Sequence, residues 1–510
     1  MKSLVASLIL LVALAGAVAQ TNSPARLMSL QDCIKAALEH NFDVQIQRYS
    51  PAIALYGVNG AYAGYDPTLN VSGTHYDNTG LSSTNNVTLT TQTTTNFSFL
   101  PRTASQQDVY RSDVGGTLPW GLNYDLIAGI EKNYDTFYYG TTNINRGSSQ
   151  TSDGSVELDL SQPLLKNFWI DSTRLNIRVA KNRLNYSEQG FRLQLITTVT
   201  AVADAYYELI YAQQNVEVQT QALNLAQTQL DQDKQRVEVG SLAPLDVQQD
   251  QAQAAQSLAS LIAAENNLSI DQNTLKNLIT DNYWQWHDSD IQPAEALVAP
   301  LEIFDLQDSW NQGMTLRPDL VQARLNAERQ GIQLKYDFNQ LFPELDLKGS
   351  YGFAGAGTSY EDTINEVGRG DRSYYSFGAA LSTPLANLGA RATYKADKLT
   401  EKQLLLALKQ FEQTIQVEID NAIKQAQSDY QSVDASRQAR IYAESALDAE
   451  QKKYAVGKST TFTVLQLQNT LTADRAAEIR ALANYNESLA NLAQQEGTTL
   501  IRQKVDIDAK

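Results

Sequence analysis

The chain is written twice. Placing Leu30-Gln31-Asp32 on Leu306-Gln307-Asp308 sets a shift of 276, and the same shift brings Asp43 onto Asp319, Pro67 onto Pro343, Leu69 onto Leu345 and Gly73 onto Gly349 without a gap. Further along, Ser161-Gln162-Pro163-Leu164 echoes Ser382-Thr383-Pro384-Leu385 at a shift of 221. Arg236-Val237-Glu238-Val239-Gly240 echoes Lys453-Tyr454-Ala455-Val456-Gly457 at 217. A repeat constrains a fold more than composition does, because both copies must adopt the same local structure. The 510 residues, enough for two to four ordinary domains, are therefore expected as one unit at 20–281 and its copy at 302–500. An inter-repeat segment at 282–301 and a tail at 501–510 complete the division. The drop in shift from 276 to 221 places about 55 additional residues in the first copy, between Gly73 and Pro163. They are expected as an outer loop or an additional hairpin and include an aromatic cluster from Tyr134 to Tyr139.

Each copy has one internal grammar: a helix, a strand region, then two very long helices joined by a turn. No proline occurs from Lys166 to Ala243 or from Ala386 to Lys510, as uninterrupted helix requires. Leu195, Val199, Val202, Tyr206 and Leu209 step by three and four, and Val216, Leu223 and Leu230 continue the stripe by sevens. Leu408, Phe411, Ile415, Ile419, Ala422, Ala426, Tyr430 and Val433 do the same in the second copy. Both read as coiled-coil seams. A helix from Asp171 to Val237 would be about 100 Å long, more than a globular core can use.

The strand regions alternate instead. Trp120, Leu122, Tyr124, Leu126, Ala128 and Ile130 are interleaved with polar residues, as are Val156, Leu158 and Leu160, then Leu345, Leu347, Tyr351 and Phe353, and Tyr375, Phe377, Ala379 and Leu381. A period of two with carboxylates opposite suits a one-sided antiparallel sheet or a barrel with lipid outside and water inside. Runs such as 85–95 and Gly147-Ser148-Ser149 read as solvated loops. Met1-Lys2-Ser3, the apolar stretch from Leu4 to Val18 and Ala17-Val18-Ala19 read as a secretory signal peptide at 1–19. No later stretch is long and apolar enough for a spanning helix.

Composition narrows the chemistry. One Cys and three His exclude a disulfide scaffold and a metal cluster, so neither cofactor nor metal is expected. Cys33 reads as a lone buried residue, and His40, His75 and His287 as surface or satisfied side chains. A net charge of −17, or −18 without Lys2, argues against nucleic acid. No phosphate loop, nucleophile elbow or zinc helix motif occurs, so no enzyme is expected.

The order and duplication of these parts resemble the TolC-type outer-membrane efflux channel family over essentially all of the mature length. The resemblance is carried by Pro67 to Leu69 and Pro343 to Leu345 at strand starts, by Gln162 to Leu164 and Thr383 to Leu385 at strand exits, and by the turns Val239-Gly240 and Val456-Gly457. The first turn leads into Leu245-Asp246-Val247 and the second into Thr463-Val464-Leu465. What it implies is an α+β membrane protein, a tandem-repeat protomer of long coiled-coil helices and β-strands. Three protomers, each giving four strands, would form a 12-stranded transmembrane β-barrel above a periplasmic α-helical tunnel. Four strands are too few to close a barrel alone, and an open edge cannot stand in lipid. The implied place is the cell outer membrane, with helices in the periplasm. Its implied partners are outer-membrane lipid, further copies of the chain as a homotrimer, a periplasmic adaptor and an inner-membrane pump. The implied function is a passive exit duct for efflux or type I secretion. A secreted coiled-coil structural or adhesive protein with a β-rich head is the alternative, which strands inserted at equivalent points of a repeat fit poorly.

The family's adaptor-contact turns map to Val239, Gly240, Ser241 and Leu242 and to Val456, Gly457 and Lys458, although a helix C-terminus explains both glycines by itself. Its closed-state clasp of Tyr and Asp maps to Tyr454 and Asp246, where Asp246 also suits a helix N-terminus. The clasp arginine is replaced by Ser459. The two aspartates of the entrance constriction are replaced by Thr463 and Gln466, which implies no fixed charge there and weak block by multivalent cations.

Overall fold

The structure, a computed structural model, describes residues 26–81, 102–139 and 145–505. The signal segment and the run at 85–95 lie outside them. The first half gives β1 (Arg26–Met28), α1 (Leu30–His40), α2 (Phe42–Ala61), β2 (Thr68–Leu81), β3 (Arg102–Thr117), β4 (Asn123–Tyr139), β5 (Asn145–Pro163), α3 (Ser172–Glu238) and α4 (Pro244–Ile279). A short α5 (Tyr283–Trp286) and β6 (Ile291–Pro293) follow. The second half gives α6 (Leu306–Leu316), α7 (Pro318–Asn339), β7 (Glu344–Gly357), α8 (Tyr360–Arg369), β8 (Ser373–Ser382), α9 (Leu388–Ala455) and α10 (Thr461–Glu496), then α11 (Thr499–Arg502). The grammar read from the sequence recurs in order, and the proline-free stretches are continuous helices of 67 and 68 residues.

Two compact units form, and each draws on both halves of the sequence. The first comprises the described parts of Met1–Ala52, Asn185–Arg324 and Leu406–Lys510. Its main core joins Val199, Val202, Tyr206 and Leu209 of α3 to Ile34 and Ala37 of α1, Leu275 and Ile279 of α4, and Ile291 of β6. The tyrosine is fully buried yet satisfied, its hydroxyl donating to the Met28 carbonyl at 3.1 Å. Cys33 lies in this core, and burial pushes its thiol up to about 12, so it is an inert small apolar residue. The second copy builds its own core from Leu320, Ile415, Ile419, Ile423 and Leu492. Ser29 caps α1 and is capped back by Asp32, a reciprocal pair that satisfies two orphan donors.

The second unit, the described parts of Ile53–Leu184 and Leu325–Leu405, holds one six-stranded antiparallel sheet in the order β2-β3-β4-β5-β7-β8. The resemblance implied four strands per chain; among the described residues the sheet has six. The two more are β3 and β4, a hairpin joined through Leu118 to Leu122 that accounts for the additional residues of the first copy. Gly147-Ser148-Ser149, read as a loop, belongs to β5, because β4 runs far enough to pair with it.

Register explains the alternation. Leu69 lies beside Val114, Val114 beside Leu126, Leu126 beside Leu158, Leu158 beside Tyr351 and Tyr351 beside Tyr375. The next row joins Thr68, Gly115, Asp125, Asp159, Ser350 and Ser376. One face is therefore apolar through all six strands and the other polar. Leu69, Val71, Leu126, Leu158, Tyr351 and Phe377 stand exposed on the apolar face.

That face changes character along the strands. On β4 it reads Tyr124, Leu126, Ala128, Ile130 and then Lys132; on β3 it reads Val114, Ser112, Tyr110 and then Asp108. At this boundary α8 lies on the sheet. Gly154, Gly355 and Gly357 make room for it: a Cβ there would come within 2.9, 2.7 and 2.7 Å of α8 atoms. Thr363, fully buried, donates to the Ser152 carbonyl at 3.0 Å. Tyr360 meets Tyr110 edge to face at 6.0 Å, and the Lys132 ammonium lies 4.8 Å and 5.1 Å from the Tyr134 and Tyr360 rings.

Candidate functional site

The two helix-turn-helix tips are built alike. At the end of α3, Gly240 adopts φ +74° and its N–H donates to Val237, while the Ser241 N–H reaches back to the Arg236 carbonyl at 2.8 Å. At the end of α9, Gly457 adopts φ +71°, its N–H donates to Tyr454, and the Lys458 N–H reaches Lys453 at 2.9 Å. Both are helix ends closed by a left-handed residue. Nothing stands within 4 Å of a Cβ at either glycine, so conformation and not crowding selects glycine. Pro244 opens α4 at its first position, and Thr460 caps α10 by accepting from the Thr463 N–H. Around these turns Val239, Leu245, Val456 and Phe462 are strongly exposed, with Leu242 half-buried. Water gives such side chains no reward, and clustered exposure marks a contact surface.

Behind the second tip is a buried polar constellation. The Tyr454 hydroxyl donates to Asp233 Oδ2 at 2.7 Å and lies 2.9 Å from Thr461 Oγ1. Gln229 Nε2 donates to the same carboxylate oxygen at 2.7 Å. The Arg236 guanidinium covers the Tyr454 ring at 4.6 Å, with its Nη1 3.7 Å from Asp233 Oδ1. Burial is the main force holding the Tyr454 phenol above its ordinary value, so it stays a donor. The structure thus ties Tyr454 of the second copy to α3 of the first through Asp233. It does not bring Tyr454 to Asp246, which sits half-buried in the first turn of α4, a position the helix dipole favours.

Asp250 completes the constellation. It is fully buried on α4, neither carboxylate oxygen has a hydrogen-bond partner among the described residues, and burial followed by the nearby Asp233 charge pushes it up to about 7. Burial and the like charge of Asp233 together keep the Asp250 carboxyl protonated well above the usual carboxylate range. The acid equivalent to Asp233 in the second copy, Glu450, is half-buried and paired: it accepts from Lys453 at 2.8 Å and Ser459 at 2.5 Å, and the lysine holds it below its ordinary value. Ser459 therefore braces its own turn. Thr463 and Gln466 follow on α10, half-buried and exposed respectively, and Thr463 Oγ1 lies 2.9 Å from Thr460 Oγ1.

Asp233 and Asp250 were missed from the sequence, yet a signal was present. Ala226 and Asp233 are seven apart, as are Asp250, Ser257 and Ala264, and all five are buried. An acid on a buried heptad seam is costly, and that cost is what should draw the eye.

A one-sided sheet with an exposed apolar belt, joined to paired long helices that end in two equivalent tips, defines the class of outer-membrane channels with a helical extension. The sequence matches the family model for outer membrane efflux proteins over residues 133–280 and 312–498, and the chain belongs to that family. It is 25% identical over 389 residues to the outer membrane protein TolC of Vibrio cholerae, covering 72% of this chain and 82% of that one. It is 26% identical over 400 residues to TolC of Escherichia coli K12, covering 73% and 74%. Among solved structures, the Campylobacter jejuni CmeC outer membrane channel superposes with a TM-score of 0.64 at 14% identity, covering 94% of this chain and 90% of that one. The Vibrio cholerae outer membrane protein VceC gives 0.64 at 17% identity, covering 92% and 96%. The protein is an outer-membrane efflux channel of TolC-like fold, located in the outer membrane.

Proposed function

We propose that the protein is the passive exit duct of a tripartite system, working as a homotrimer whose sheets close one barrel and whose helix tips meet a periplasmic adaptor coupled to an inner-membrane pump. The register of the sheet carries this reading. The apolar belt runs from Tyr124 to Ile130 on β4, about 20 Å along the strand, and turns polar at Lys132, where aromatic side chains take over as they do at the edge of an outer-membrane hydrocarbon band. Exposed Trp120, Phe168, Trp169 and Phe342 lie near the strand ends that join the helices, and Tyr110, Tyr134 and Tyr360 lie at the other limit. Such paired girdles mark the two interfaces. The apolar residues Val239, Leu245, Val456 and Phe462 are the adaptor contact, and the bonds of the Tyr454 hydroxyl to Asp233 and Thr461 hold the tips together in the closed state. Thr463 and Gln466 line the entrance without charge.

Membrane fractionation followed by a denaturing gel, with and without boiling, tests the reading. A boiling-sensitive band near three protomer masses in outer membranes is expected. A soluble monomer would refute it.

A further inference from the structure

The edges of the sheet decide how the chain closes on copies of itself. Among the described residues β2 and β8 each pair on one side only, and a row of unpaired N–H and C=O groups cannot stand in hydrocarbon. We propose that β8 of each protomer pairs with β2 of the next, so that three copies of the six-stranded sheet close as a barrel of eighteen strands. The proposal rests on the trimeric reading above and fixes the size of its pore.

Direction permits the closure. All five strand pairs within this sheet are antiparallel, so β2 and β8 run in opposite senses and their edges meet antiparallel. An odd number of strands would have brought parallel edges together.

Register supports it independently. Followed across the sheet, Thr68 at the start of β2 leads through Gly115, Asp125, Asp159 and Ser350 to Ser376, and β8 continues from there to Ser382. Setting Ser382 against Thr68 of the neighbouring copy levels the strand ends and staggers the barrel by about six residues per protomer. At about 3.3 Å per residue and 4.8 Å per strand this is a tilt of about 35°, the range of membrane barrels. The same register places Leu381 beside Leu69, Ala379 beside Val71 and Phe377 beside Gly73, which continues the apolar face across the junction. A slip of one residue would set apolar side chains on the polar face. Eighteen strands at this tilt enclose a backbone cylinder about 34 Å across, where twelve would give about 23 Å.

The test is a pair of cysteines, Leu69→Cys with Leu381→Cys, oxidised in native membranes and run on a non-reducing denaturing gel, beside a single-particle reconstruction of the unmodified protein. Cys33 is buried and does not interfere. Covalent oligomers up to the trimer and eighteen strands around the axis are expected. A second pair, Tyr124→Cys with Leu381→Cys, reports closure through β4 with the β2–β3 hairpin displaced. Trimers that link through this second pair, or a reconstruction with twelve strands, overturn the eighteen-strand closure and leave the duct standing. Monomers throughout overturn the trimer and the closure together.

Discussion

Replacing Asp250 with Asn should stabilise the tips at neutral and alkaline pH. Its carboxyl is buried, lacks a donor and faces Asp233, with Asp246 adding further negative charge. Arg236 and Tyr454 attend to Asp233 instead. A carboxyl raised from 3.8 to about 7 in the folded state contributes stability that is complete below about pH 4 and is lost as pH rises through about 7. The shift of about three units corresponds to a ceiling of about 4 kcal/mol at alkaline pH. Asparagine keeps the shape and cannot ionise. Amide exchange across 225–260 and 445–470, corrected for intrinsic rates, is the assay. In the native protein protection should fall between pH 5.5 and 8.5; in Asp250→Asn it should be nearly flat and higher at pH 8.5. Protection that rises with pH in the native protein, or an unchanged fall in the variant, would refute the argument.

Tyr454→Phe removes the hydroxyl shared by Asp233 and Thr461 and leaves a buried carboxylate short of a donor, a loss of about 1–3 kcal/mol; single-channel recordings should show more frequent opening, and unchanged gating counts against the clasp. Thr463→Asp with Gln466→Asp introduces six carboxylates into a trimeric entrance, so block by a trivalent cation should appear at concentrations that leave the native channel conducting. Strong block of the native channel would remove the assignment of these residues to the constriction. Gly240→Ala and Gly457→Ala each force a side chain into the left-handed region in open space, at about 1–2 kcal/mol of local strain. Faster amide exchange confined to the turn is expected, with assembly intact.

The long helices were legible because their signal is redundant: no proline and a seam repeated through many turns agree over more than sixty residues. The faces of the sheet were legible for the same reason, since a period of two recurs on every strand. The partner of Tyr454 was not. Sequence places Asp246 and Asp233 on neighbouring helices of one hairpin, and which of them faces α9 depends on how α3, α4, α9 and α10 rotate about their axes. That rotation is set by seam packing, and the seam puts Asp233 inside and leaves Asp246 at the first turn of α4.

The strand count was hidden by a different cause. β3 and β4 have no counterpart in the second copy, so the repeat that identified the long helices and the other four strands of the sheet is silent about them. The structure shows why a hairpin, and not a single strand, is the tolerated insertion. β2 must leave the α2 side and β5 must return to α3, just as β7 leaves α7 and β8 returns to α9. One added strand would reverse the direction in which the chain meets α3. Two added strands restore that direction, keep every neighbour antiparallel and keep the apolar rows on one face, because the short turn from Leu118 to Leu122 returns the chain in register, Val114 beside Leu126. On the closure proposed above, hairpins can widen the barrel while the helices keep their order, so the width of the pore would vary independently of the helix tips.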